Sequence, residues 1–496
     1  MSDDTPFHVV VAGAGVAGLA CAHRLLSLAS ERRQPLRLTL LEASSRPGGV
    51  IVTDRTDGFV IEGGPDCFVS DKPWALDLCR RLGLADEIVG TDERYRRSFV
   101  YRRGRLLSIP EGYQLLAPGR LVPFATTPIL SLRGKLRAAC DLILPRGPQV
   151  PDESLASFVR RRFGAETLER LAQPLLAGIY NADPERLSLR ATMPRFLELE
   201  EKHRSVILGL LRERGRSPAA ARSGVSGARY SLFVTLRSGL QTLTDRLSAS
   251  LPAGSLRLGA AVKRLEPLAG AADRAGPAGG PHPTRTEPRW RVSTERERLE
   301  ADAVILALPA CAIAPLLRPV DRSLADLLAT VPYGGAATIS LAYRREDVSH
   351  PLDGFGFVVP RSEKRGLVAC SFASVKFPDR APRDKVLLRA FLDGALAESA
   401  EPATLERVVR DELGGILGIT AAPLLARTYV HRSAMAQFEV GHLERVREVE
   451  ERLTPHAGLA LAGNGLRGVG LPDRVRSGEA AAEEVLARAG VVSLAR

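Results

Sequence analysis

Gly13, Gly15 and Gly18 stand in the spacing G-x-G-x-x-G, directly after the apolar run Val9-Val10-Val11-Ala12, and a carboxylate, Glu42, closes the next apolar run, Leu38 to Leu41. This combination can bind a dinucleotide. Gly13 lets the chain turn sharply out of a strand, Gly15 lets backbone N–H groups approach a pyrophosphate, and Gly18 allows close packing of the following helix. The helix start, with Ala14, Val16 and Ala17 around it, turns its partial positive charge toward the phosphates. Glu42 can accept both hydroxyls of an adenosine ribose, and its charge would repel a 2′-phosphate. Just beyond, Ala43, Arg46, Gly49 and Val50 form a stretch in which Arg46 can neutralise a diphosphate and the Gly48-Gly49 pair permits a close backbone pass.

The elements that must position these residues are a strand, a helix and a second strand, one βαβ unit. A short strand from Gly58 to Glu62 leads into Gly63-Gly64-Pro65-Asp66, a turn without side-chain bulk that suits a flat ring. A helix is expected from Pro73 to Leu82, and a hairpin joins Phe99-Val100-Tyr101 to Arg105-Leu106-Leu107. From 111 to 216 the pattern is helical and loop-rich. Between Tyr113 and Leu144, apolar clusters alternate with Arg120, Arg133, Lys135 and Arg137, which suits either a helical patch on a membrane surface or a small inward-packed domain. Loops are expected at 212–229 and 269–288, where apolar residues are scarce. Trp290-Arg291-Val292 is expected to resume the main sheet and Ala301 to Pro309 to end it. Strand-like runs at 337–343, 355–359, 367–372 and 386–392, with a helix at 404–417, imply a separate antiparallel sheet roofing the cofactor. Finally a strand at Leu459 to Ala462, the turn from Gly463 to Asp473 and a helix to Ala489 make a second anion site.

The chain has 496 residues, enough for two or three domains. With 45% hydrophobic and 25% charged residues it is a folded chain. The net charge of +12 is carried nearly all by Arg, which suits carboxylate or phosphate partners, while 5% aromatics and no reader motif argue against nucleic acid. The six cysteines are far apart with no CxxC pair, so reduced thiols, a cytoplasmic compartment and no metal site are expected. The acidic start Met1-Ser2-Asp3-Asp4 is not a secretory signal, and no apolar run reaches the length of a membrane span. No paired carboxylates, Ser/His/Asp set or clustered histidines can be picked out as catalytic groups.

Val11 to Gly18, Glu42 to Gly49 and Glu62 to Asp66 resemble the FAD-binding pattern of the amine oxidase and phytoene desaturase superfamily. Within it, the turn Ala177-Gly178-Ile179-Tyr180-Asn181, Leu187 to Arg190, His203 to Leu210, Gly354 to Pro360 and Gly468 to Asp473 resemble the protoporphyrinogen and coproporphyrinogen oxidase family over nearly the whole chain. The resemblance implies an α/β fold: a discontinuous Rossmann-like FAD domain (1–90, 229–310 and 455–496), a mixed α+β substrate domain (91–112 and 311–454) and a helical, membrane-associated domain (113–228). It implies FAD as cofactor and removal of six electrons and six protons from a porphyrinogen, with oxygen as acceptor and peroxide as product. Carotenoid desaturation, amine oxidation and a non-catalytic flavin scaffold at a membrane are the competing readings. Expected partners are a porphyrinogen, oxygen, a peripheral membrane surface on the cytoplasmic side and a second copy of the chain.

Position by position, the resemblance assigns Gly13, Ala14, Gly15, Val16, Ala17, Gly18, Glu42, Ala43, Arg46, Gly49, Val50, Gly64, Pro65, Asp66, Val262, Gly463, Val469, Gly470 and Leu471 to the cofactor, with the Val262 amide at the adenine. Leu175, Ala177, Gly178, Phe355 and Val358 would face the macrocycle as apolar walls, with Phe355 stacking. Mitochondrial-type members carry an Arg directly before a Phe-x-Tyr step, where it pairs with a propionate. Here Ser98 holds that place and Arg97 precedes it, so either Arg97 takes the role or another basic group does.

Overall fold

The computed structural model describes residues 6–148, 150–216, 233–268 and 289–491. The expected loop at 269–288 and residues 217–229 of the other lie outside the described residues. Residues 212–216 belong instead to a helix, Val206–Arg216.

Five parallel strands form the main sheet, in the order Leu256–Arg257, Leu36–Leu41, Phe7–Ala12, Ala303–Leu306, Leu459–Leu461. Alternation along the central strand explains why the sheet is covered on both faces. Val9 and Val11 point into a core shared with the helices Val16–Glu31 and Leu471–Arg488, whereas Val10 and Ala12 point into one shared with Ala310–Leu317 and Arg322–Ala329. The two long helices touch closely because a Cβ at Gly478 would lie 2.0 Å from the Ala17 carbonyl oxygen, so only glycine fits there.

Two strand expectations need correction. Ala303–Leu306 does not end the sheet, because Leu459–Leu461 pairs with it as the edge. Trp290–Ser293 does not resume the parallel sheet but sits between Arg264–Pro267 and Arg298–Ala301 in a small antiparallel one. Its burial alternates accordingly: Trp290 and Val292 are buried while Arg291 and Ser293 are half-exposed, as in a sheet with one covered face.

The roof is a seven-stranded sheet in the order Leu425–Ala436, Tyr333–Arg344, Lys385–Leu392, Leu367–Phe372, Gly356–Val358, Phe99–Arg102, Arg105–Ser108. It is mixed and not wholly antiparallel, since Phe357 and Val358 pair in parallel with Phe99 and Val100. The expected hairpin therefore joins the roof, with Arg102 opposite Arg105. One face of the roof carries Ile339, Leu341, Leu388 and Ala390 against the helix Pro402–Leu417; the opposite face, bearing Thr338, Ser340, Arg389 and Phe391, is turned to the other two units.

The third unit is helical, with Leu155–Phe163, a π turn at Leu168–Ala172 and Gln173–Tyr180 closed by Asn181 in the left-handed region. Its core is pinned by a buried Arg162–Asp141 pair, with Ser205 donating to the same carboxylate at 2.5 Å. Leu121, Val122, Leu132, Leu136 and Ile143 are exposed on this unit. Among the described residues no helix is long and apolar enough to cross a membrane.

Candidate cofactor and substrate site

The glycine-bearing turns, distant in sequence, meet in one place. Gly13 has a φ of +99°, and a Cβ there would lie 2.6 Å from the Ala307 carbonyl oxygen. Gly463, also at positive φ, abuts Leu308 of the same strand end, so the first and last turns share one floor. The Gly48-Gly49 pair lies over the first turn: the Gly48 amide donates to the Ala14 carbonyl at 2.8 Å, and a Cβ on Gly49 would lie 3.4 Å from the Gly15 Cα. The next turn seats on the chain just after that pair, since a Cβ at Gly64 would lie 1.9 Å from the Val50 carbonyl oxygen. Lys72, following this turn, pairs with Asp473 of the C-terminal helix at 2.6 Å, and Asp473 accepts the Gly470 amide at 3.3 Å.

Glu42 sits 8% exposed at the end of Leu36–Leu41. Its two oxygens accept the amides of Ala14 and Ser44, each at 2.8 Å, which ties the carboxylate to the first turn and fixes its orientation. Ala43 is exposed beside it. Val262 is brought to the same edge because the Gly259 and Ala260 amides donate to the Ser44 and Glu42 carbonyls. Arg46 spends its guanidinium on its own loop, donating to the carbonyls of Pro47, Gly49 and Ile51 at 2.6 to 3.1 Å. It therefore braces the glycine pair as well as placing positive charge there.

Three features fit this place to a dinucleotide. At Gly15 an added Cβ would meet no protein atom within 4 Å, so the turn faces open space. The helix Val16–Glu31 begins there with no side-chain cap and no acidic residue in its first turn, leaving its positive end uncompensated. Buried donors also lack partners among the described residues: the Nε atoms of Arg389 and Arg474 and the Ser340 hydroxyl.

The turn at 62–67 is gripped by the roof in a way the sequence did not signal. Thr338 donates its hydroxyl to the Gly63 carbonyl at 3.0 Å, His431 Nε2 lies 2.9 Å from the same oxygen, and the Tyr429 ring covers Gly63. Asp66 pairs with Lys376 at 3.1 Å and lies 3.5 Å from Arg389, which also donates to the Gly64 carbonyl. Burial alone would raise the Asp66 carboxyl, but the Lys376 ammonium and then Arg389 outweigh it and hold it well below the usual carboxylate range. Burial likewise works against the Lys376 ammonium, and Asp66 followed by Cys67 keeps it protonated. Cys67, 3.3 Å from Lys376, is pushed up to about 12, by burial first and then by Asp66. Glu62 is raised by burial, although it accepts the Thr53 hydroxyl and the Leu240 amide and faces Arg380 at 3.8 Å. A signal for Arg389 was present, since it is the one charge inside Val386-Leu387-Leu388-Arg389-Ala390-Phe391-Leu392. None marked Lys376, 310 residues from its partner.

Of the residues expected at a macrocycle, Leu175 and Val358 lie in one apolar cluster with Leu176, Tyr180 and Ala369, against which Val469 of the C-terminal turn packs. Ala177 is buried on the same helix, and Gly178 faces this wall, with an added Cβ reaching Ala369 at 3.9 Å and Val358 at 4.0 Å. Phe355 is buried at the start of the adjoining strand, its amide donating to the Arg97 carbonyl at 2.8 Å. Arg97 is half-exposed and held by Asp353, to whose carbonyl its Nε donates at 2.6 Å, while Ser98 is buried. The basic group at that strand is thus already paired within the chain.

A nucleotide-binding βαβ half, a mixed-sheet roof and an apolar wall beside the last glycine turn define a flavin-dependent oxidoreductase. The model of the flavin-containing amine oxidoreductases matches residues 16–486. Coproporphyrinogen III oxidase of Bacillus subtilis (strain 168) is 34% identical over 97% of this chain and 98% of its own. Protoporphyrinogen oxidase of Bos taurus is 31% identical over 96% and 98%. A crystal structure from Exiguobacterium sp. 255-15, provisionally assigned as a protoporphyrinogen oxidase, superposes with a TM-score of 0.81 at 29% identity, covering 97% of this chain and 99% of that one. The chain belongs to the flavin-containing amine oxidoreductase family and, within it, to the protoporphyrinogen and coproporphyrinogen oxidases, and its cofactor is FAD.

Proposed function

We propose that this chain oxidises a porphyrinogen to the corresponding porphyrin in tetrapyrrole synthesis, with oxygen as electron acceptor and hydrogen peroxide as product. The observation that carries this reading is the junction of Leu175, Gly178, Val358 and Ala369 with Val469, where an apolar wall fit for a flat macrocycle meets a cofactor turn. FAD, when bound, supplies the two-electron redox chemistry. The chain's own residues bind and orient: Glu42 would take the adenosine ribose, the start of Val16–Glu31 the diphosphate, and the turns at Gly64–Asp66 and Val469–Leu471 the ring and ribityl portion. The wall would hold the macrocycle and keep water from the reacting carbon.

The first substrate reading is protoporphyrinogen IX, giving three peroxides per porphyrin. The second, coproporphyrinogen III, draws on the coproporphyrinogen III oxidase of Bacillus subtilis at 34% identity against 31% for the bovine protein. Supplying each porphyrinogen aerobically to the FAD-loaded protein and following porphyrin fluorescence separates them. Activity on neither would refute the proposal.

We also propose peripheral contact with the cytoplasmic face of a membrane through Leu121, Val122, Leu132, Leu136 and Ile143. These apolar side chains are exposed, with Arg133 and Lys135 on the same unit. Sedimentation with anionic vesicles, lost in a Leu132→Asp/Leu136→Asp double variant that keeps its FAD, tests this. Equal sedimentation of both proteins would refute it.

A further inference from the structure

Alternation along Lys385–Leu392 places Arg389 and Phe391 on the face of the roof opposite the Pro402–Leu417 helix. Arg389 is 3% exposed, yet its polar demand is only partly met. Its terminal nitrogens reach the Gly64 carbonyl and Asp66, and its guanidinium stacks 4.9 Å from the Phe391 ring centre, but Nε has no partner among the described residues. Directly across the ladder is Ser340, 1% exposed, whose hydroxyl is also without a partner. Two unpartnered donors therefore lie side by side on one face, next to the turn at 63–67.

The charge around them is unbalanced in the same sense. Lys376, Arg380 and Arg389 are buried against two carboxylates, Glu62 and Asp66, while the Cys67 thiol stays neutral. An unpaired N–H and an excess cation in a low-dielectric interior are each costly, and both are relieved by an acceptor that carries negative charge. A flavin that takes up two electrons and one proton ends one unit more negative than it began, so its reduced form is the acceptor these groups favour.

We infer that Arg389, supported by Lys376 and Ser340, is a positioning residue that biases FAD toward its reduced form by holding net positive charge behind the Gly64–Asp66 turn. This rests on the reading that the turn lies along the flavin ring. The groups act through charge and through the turn they hold, and so set the ease with which electrons leave the substrate.

The test uses the full-length FAD-loaded protein and two variants of opposite charge change. Arg389→Met removes a cation while keeping an apolar stem, and Asp66→Asn removes an anion. The readouts are the FAD-to-protein absorbance ratio and the two-electron midpoint potential, measured by equilibration with a reference dye. Arg389→Met is expected to lower the preference for the reduced form about tenfold, a midpoint about 30 mV more negative, and Asp66→Asn to raise it by a similar factor. Arg389→Lys should recover most of the loss. Shifts of opposite sign support the inference, because a purely structural role would move both variants the same way. An unmoved midpoint in FAD-loaded variants, or shifts of equal sign, overturns it, leaving a buried water as the partner of Arg389 Nε and Ser340. A wild-type protein that holds no FAD would instead refute the flavin reading itself.

Discussion

Replacing Gly15 by valine separates the needs of the fold from those of the cofactor. The residue has φ −67° and ψ 175°, extended backbone that valine adopts freely, and an added Cβ meets no protein atom within 4 Å. The cofactor-free fold should therefore tolerate Gly15→Val, the stiffer unfolded chain (about 0.4–1 kcal/mol) offsetting the poorer N-cap that valine makes. Cofactor binding should not tolerate it, because the branched side chain fills the open space beside the helix start. Crowding there costs about 1–3 kcal/mol and weakened N–H bonds to a charged phosphate about 1.5–3 kcal/mol more. The sum lowers FAD affinity by roughly two to four powers of ten. With FAD at about a hundred times its dissociation constant the parent gains about 2.7 kcal/mol of stability, and a hundredfold weaker variant about 0.4 kcal/mol. Melting each protein with and without FAD, beside the flavin absorbance of the purified protein, reads this directly. Gly18→Val is the contrast: its Cβ would lie 1.8 Å from the Gly13 carbonyl oxygen, so that variant should unfold early with or without FAD. Full yellow colour and an undiminished FAD shift in Gly15→Val would refute the placement of the diphosphate, and an early-melting cofactor-free Gly15→Val would refute the reading of open space.

Glu42→Ala leaves the buried Ala14 amide without its acceptor and should cost about 1–3 kcal/mol of stability together with much of the FAD affinity, checked by denaturant melts and flavin fluorescence quenching. His442 is fully buried and stacked on Phe438, with Nε2 donating to the Leu466 carbonyl at 2.8 Å; burial lowers it from 6.5 to about 4. The unfolded chain therefore binds a proton that the folded one refuses between those pH values, so its contribution is complete above pH 6.5 and declines toward pH 4, by about 3 kcal/mol in all. His442→Gln, which keeps a donor, should flatten that limb of a stability–pH curve. Gly178→Val projects its methyls toward Ala369 and Val358 and should raise KM for a porphyrinogen several-fold while FAD content stays unchanged; an unaltered KM would remove Gly178 from the substrate wall.

The cofactor half was legible because its signals are local. A strand of β-formers, the glycine spacing and Glu42 sit within one βαβ unit, and the helix Pro73–Arg81 ends at Arg81, two residues before Gly83. What escaped depends on contacts between distant segments. The twelve-residue strand Leu425–Ala436 has no apolar run because nearly all of it is half-buried, and its polar side chains, Arg427 on Asp54 and His431 on Gly63, are used against the first unit. Trp290–Ser293 reads like any sheet strand, since pairing partners are not encoded in its own alternation. Arg97 was the nearest cation to a missing propionate partner, but Asp353, which pairs with it, is remote in the chain. Lys376 became visible only when the roof brought it over Asp66, and Arg389, a lone charge in an apolar run, showed its partner only there.

Porphyrinogen oxidation is decided by mixing the purified, FAD-loaded protein aerobically with protoporphyrinogen IX or coproporphyrinogen III and recording porphyrin fluorescence and peroxide together. At least one of them should be converted, with peroxide rising in step with porphyrin and both signals lost in Gly15→Val. A protein that carries stoichiometric FAD and produces neither porphyrin nor peroxide from either substrate would contradict it.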